Sequence, residues 1–76
     1  MHKILIRLKI IKENRIIDVR MDNRLSLIDN LSFIGFLAGI SFKDSYIYDP
    51  NKKIFLDRNI PLSQFDIRDY MMLYLF

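Results

Sequence analysis

The chain has 76 residues, 51% of them hydrophobic and 28% charged, no cysteine, and a formal charge of +3 from 12 Lys and Arg against 9 acidic residues. That length holds one domain, residues 1–76, and a domain so small buries only roughly 60% of its unfolded surface, so most of its apolar residues must serve one core. Without cysteine there are no disulfides, thiol nucleophiles or thiolate metal sites, and with neither a long apolar run nor a signal-like leader the expected location is cytoplasmic.

From Lys3 to Ile10 apolar residues alternate, with Ile4, Ile6, Leu8 and Ile10 on one face and Lys3, Leu5, Arg7 and Lys9 on the other. This is the period of a half-buried strand. The polar run Lys12-Glu13-Asn14-Arg15 interrupts it, and Ile17, Val19 and Met21 resume it, which predicts a second strand paired antiparallel through a tight hairpin. The period then changes to that of a helix, with Leu27, Leu31, Ile34 and Ala38 on one stripe, Ser26 as N-cap, Asp29 facing the positive helix end and Gly39 as the left-handed stop. Tyr46-Ile47-Tyr48 and Lys53-Ile54-Phe55-Leu56 read as two short strands joined through Asp49-Pro50. Pro61 cannot extend a central strand, so a turn follows before the last strand, residues 71–76. The predicted class is α+β: ββαββ, a short turn and a final strand, in one mixed sheet with one helix across one face.

Chemistry has little material. His2 is the lone imidazole and lies beside a chain end, Asp66 and Asp69 flank Arg68 in a turn, and the two glycines, Gly35 and Gly39, both belong to the helix. No catalytic, cofactor-binding or metal-binding residue is expected, and the chain is expected not to be an enzyme. A nucleic-acid surface would need Lys3, Arg7, Lys9, Arg15 and Arg20 to form one stripe, which Asp18 interrupts, so no nucleic-acid partner is expected.

Two surfaces are expected to dock protein. With Leu73 and Leu75 inward, alternation sends Met72, Tyr74 and Phe76 outward beside Tyr48. On the helix, Phe33, Phe36 and Leu37 lie away from the core stripe, where one sheet cannot also bury them, which suggests docking on a larger protein or a homo-oligomer.

The element order, with Leu62-Ser63-Gln64-Phe65-Asp66-Ile67 before the last strand, resembles the ubiquitin-like β-grasp fold. Within that group the chain is similar to the YukD and EsaB family by its length, its element order and Ile28-Asp29-Asn30-Leu31 and Ile40-Ser41 in and after the helix. The resemblance implies a bacterial, cytoplasmic accessory or regulator of type VII (WXG100) secretion that acts by protein-protein interaction. The alternative is a generic ubiquitin-like adaptor domain, possibly part of a larger membrane-anchored or regulatory protein. The sequence ends at Phe76 without a Gly-Gly tail, so conjugation is not expected. The positions resembling ubiquitin's isoleucine-centred patch are Tyr48, Tyr74 and Phe76, making that face aromatic.

Overall fold

The computed structural model describes residues 3–39, 41–42 and 44–76; His2, Ile40 and the side chain of Ala38 lie outside the described residues. Strands β1 (Lys3–Ile10) and β2 (Arg15–Asp22) form the first hairpin, α1 spans Leu27–Ala38, β3 (Ile47–Asp49) and β4 (Ile54–Phe55) form a second, and β5 is Met71–Leu75. The five strands make one sheet in the order β2-β1-β5-β3-β4. β5 runs parallel to β1 and antiparallel to β3, so the last strand of the sequence lies at the centre of the sheet.

Local chemistry sets the boundaries. The first hairpin turns through a short 3-10 segment, Ile11–Glu13, and Asn14, whose φ of 49° is left-handed, a conformation asparagine tolerates. The Ser26 side chain accepts the Asp29 N–H at 3.2 Å to start α1, and Gly39 at φ 71° ends it by donating its N–H to Gly35. At the second hairpin Asp49 Oδ1 accepts the N–H groups of Asn51 and Lys52, and the Asp49 carbonyl accepts that of Lys53 at 2.8 Å. These bonds close the turn that Asp49-Pro50 predicts. β4 is shorter than the run Lys53-Ile54-Phe55-Leu56 suggests, because Leu56 leaves the ladder for the core while its N–H still bonds Ile47.

The core lies between the sheet and α1. Ile6, Leu8, Met21, Ile47, Leu73 and Leu75 come from the sheet, Leu27 and Leu31 from the helix, and Leu56 and Leu62 from the connections. Ile34 packs against it, and Phe42 is buried in the core, so it does not cover the outer side of the helix. Asn30, buried on the helix, joins α1 to β2 by a pair of bonds with the Asp22 backbone: the Asp22 N–H donates to Oδ1 at 2.8 Å and the Asp22 carbonyl accepts from Nδ2 at 3.0 Å. No described helix is long and apolar enough to cross a membrane.

Candidate protein-docking surfaces

The sheet face turned away from α1 is built by register. Ile16 lies opposite Lys9, Lys9 beside Tyr74, Tyr74 opposite Tyr48 and Tyr48 opposite Phe55, which makes one row crossing all five strands. On the β5-β3-β4 side of this row the rings touch. Tyr48 stacks on Tyr74 with centroids 6.3 Å apart, meets Phe55 edge-on at 5.0 Å and meets Phe76 at 6.3 Å, and Phe55 lies 5.8 Å from Phe76. Such offset and edge-to-face geometries suit the ring quadrupole and add roughly 0.5–1.5 kcal/mol per pair beyond area burial. Phe55 and Phe76 are 59% and 42% exposed, so the cluster presents apolar edges to solvent.

The β1-β2 side of the same face is charged. The Lys9 ammonium sits 5.8 Å from the Tyr74 ring centroid, and Arg7, beside the half-buried Met72, pairs with Asp18 at 3.5 Å. The outer face therefore joins an aromatic patch to a polar rim, the arrangement that favours protein association. Phe76 is tied down by reciprocal backbone bonds with Tyr46 at 2.8 and 3.0 Å.

The second surface is the outer side of α1, where Phe33, Phe36 and Leu37 are 58%, 83% and 69% exposed. The structure thus keeps the two groups of candidate residues apart: Tyr48, Met72, Tyr74 and Phe76 on the sheet, and Phe33, Phe36 and Leu37 on the helix. Sequence reasoning missed Phe55. The signal was available, because a hairpin turning at Asp49-Pro50 places Phe55 across from Tyr48 on the same face.

The acids at the start of the last strand serve the fold. Asp69 Oδ1 accepts the Leu5 N–H at 2.8 Å, and Asp66 pairs with Arg68 at 3.4 Å in solvent. Asp22 accepts from the Arg24 guanidinium at 2.8 and 3.1 Å and from the Arg24 backbone N–H at 2.9 Å, and these bonds, the guanidinium's foremost, hold its carboxyl well below the usual carboxylate range. The Arg24 pKa is raised in turn by the same pair. Among the described residues no group of three His, Cys, Asp or Glu side chains is placed to hold a metal ion.

No protein-family model matches the chain, and no curated protein sequence matches it. Solved structures do. A protein whose molecular mimicry of SUMO promotes DNA repair superposes with a TM-score of 0.83 at 13% identity, over 100% of this chain and 92% of that one. A ubiquitin-like domain from Arabidopsis thaliana gives 0.78 at 18% identity, over 100% and 78%. A chain of a pParkin-pUb-UbcH7 complex gives 0.73 at 12% identity, over 97% of this chain and 22% of that one. At these identities the likeness is one of fold. With one helix across a five-stranded mixed sheet whose last strand lies beside the first, this chain has the ubiquitin-like fold.

Proposed function

We infer that this chain is a non-enzymatic docking module that binds a protein partner through the aromatic outer face of its sheet, with the exposed side of α1 as a second surface. The observation that carries the reading is the group of four touching rings, Tyr48, Phe55, Tyr74 and Phe76, on the solvent side of a sheet whose other face already holds the core. Aromatic anchors beside a charged rim are the usual composition of a binding hot spot. Structural neighbours that mimic SUMO or sit in a pParkin-pUb-UbcH7 complex support a protein partner in general.

The finer reading is a bacterial, cytoplasmic accessory of a type VII secretion system, similar to YukD and EsaB. It is supported by the element order and by Ile28-Asp29-Asn30-Leu31 in the helix. The test is a binding titration against the purified cytosolic domain of the system's membrane ATPase, with the wild type and with Tyr48→Ala and Phe55→Ala combined. Saturable binding weakened at least tenfold by the double variant supports both levels of the reading. Equal binding by the two proteins removes the aromatic face, and no binding by either removes the secretion partner.

A further inference from the structure

Near the start of β1 the sheet opens. The β1-β5 register begins at Ile6 and Met71, and before it Leu5 is met by the turn instead of the strand: Asp69 Oδ1 accepts its N–H at 2.8 Å, and its carbonyl accepts the Tyr70 N–H at 2.7 Å. Lys3 is the next residue whose backbone turns to that side. Its register partner Asp22 gives its own N–H and C=O to the Asn30 carboxamide, and opposed residues of an antiparallel ladder exchange both bonds or neither, so the Lys3 N–H and C=O point away from β2. No described residue bonds them.

The space left there is a pocket of about 260 Å³ lined by Lys3, Ile4, Leu5, Arg20, Asp69 and Tyr70. Its cations are uncommitted. Among the described residues the ion pairs join Arg7 to Asp18, Arg15 to Glu13, Arg24 to Asp22 and Arg68 to Asp66, so neither Lys3 nor Arg20 is in one, although Asp69 borders the same pocket. Tyr70 stands out for its backbone. It is left-handed at φ 67°, a conformation that strains a residue with a Cβ, yet its side chain is 70% exposed and bonds or stacks on no described residue. Glycine or asparagine would take that backbone at less cost, and strain kept at an exposed side chain with no internal partner points to an external one.

We propose that this pocket binds a phosphate monoester carried on a flat ring, with Arg20, the Lys3 ammonium and the Lys3 N–H holding the phosphate and the Tyr70 ring stacking on the ester's ring. Two cations and a backbone N–H offer more donors than the two oxygens of a carboxylate satisfy in one plane, and the three terminal oxygens of a phosphate suit them. The ligand is an ester and not the bare anion because Asp69 and the Lys3 carbonyl put acceptors on the Tyr70 side of the pocket, where an uncharged ring is tolerated and a second anionic edge is not. The site is separate from the aromatic cluster and does not depend on its reading: the Arg7-Asp18 pair lies between this pocket and the row of Lys9, Tyr74 and Tyr48.

The experiment titrates the protein with phenyl phosphate, with inorganic phosphate and phenylacetate as comparisons, and follows the amides by NMR. The expected result is saturable shifts at Lys3, Arg20 and Tyr70 with phenyl phosphate, weakening as salt is raised, and clearly weaker binding of the other two anions. Arg20→Gln, at an exposed position, should weaken phenyl phosphate roughly fivefold. Tyr70→Gly should bring phenyl phosphate level with inorganic phosphate while melting no lower than the wild type, because glycine accepts the left-handed backbone. Adenosine monophosphate and a short phosphotyrosine peptide then separate the two sources of such an ester, a free nucleotide and a phosphorylated chain, and the tighter binder names the source. No saturation at tens of millimolar phenyl phosphate, equal affinity for either comparison anion, indifference to Arg20→Gln, or shifts confined to Tyr48, Phe55 and Tyr74 would each overturn the proposal. So would a Tyr70→Gly protein that melts lower and binds phenyl phosphate as before, which would assign Tyr70 to the fold.

Discussion

Replacing Asn30 by alanine should be among the most costly polar substitutions in the domain. Its carboxamide accepts the Asp22 N–H and donates to the carbonyls of Asp22, Ser26 and Leu25 at 3.0, 2.9 and 3.4 Å. Each of these carbonyls has another donor, since Leu25 N–H bonds that of Asp22, Asn30 N–H that of Ser26 and Leu62 N–H that of Leu25. The Asp22 N–H is the group left without a partner, at a residue only 6% exposed. An abandoned buried donor costs about 1–3 kcal/mol, and the lost van der Waals contacts of the amide bring the expected loss to about 2–3 kcal/mol. Stability for a chain of this length is about 4–11 kcal/mol, so the variant should stay folded with its urea midpoint lowered by about 2 M. Urea denaturation followed by circular dichroism gives the midpoint, and hydrogen exchange at the Asp22 amide gives the local consequence. Ser32→Ala, which removes an exposed hydroxyl bond to Ile28, is the control and should change stability by less than about 0.5 kcal/mol. A loss at Asn30 no larger than the control, or an Asp22 amide that exchanges no faster, would refute the argument that the Asn30 carboxamide satisfies the Asp22 backbone.

Three further outcomes follow from the same structure. Asp22 has a lower pKa folded than unfolded, so its pairing with Arg24 contributes stability that is complete above the unfolded carboxyl value near ~4 and is lost as pH falls toward the folded one; Asp22→Asn should flatten the decline between about pH 4 and 2, and parallel midpoint curves would sink this account. Leu73→Ala, at a fully buried position on the central strand, should cost about 2–5 kcal/mol, and a small shift in the urea midpoint would contradict the placement of the core. Lys53 is exposed and left-handed at φ 58°, so Lys53→Gly should raise stability by up to about 1 kcal/mol, and a lower melting temperature would show that its side chain contributes more than its backbone strain.

Local signals carried much of the fold. Ser26 and Gly39 bound the helix where N-cap and C-cap chemistry put them, and the alternation from Lys3 to Ile10 set the inward face that the core uses. Leu73 and Leu75 point inward for the same periodic reason. What the sequence did not disclose depends on pairs far apart in the chain. Asp69, set beside Asp66 as part of an acidic turn, caps the Leu5 amide 64 residues away, and Asn30, read from the sequence only as part of Ile28-Asp29-Asn30-Leu31, closes the end of β2. Phe55 was missed because a two-residue strand has no periodicity of its own, and only its register with Tyr48 places it on the outer face. Composition showed that surplus apolar residues existed; the strand order showed which of them share a surface.

The central position of β5 bears on how the chain acquires its shape. The first hairpin can pair as soon as it leaves the ribosome, but β1 and β3 have no common partner until β5, the last strand made, enters between them. A nascent chain lacking residues 71–75 is missing the middle of its sheet, not an edge, so it can hold two separate hairpins and a loosely docked helix but no closed core. Closure of the core during synthesis should then await residues 71–75, and such a domain exposes its apolar residues to chaperones and proteases until that strand has left the ribosome.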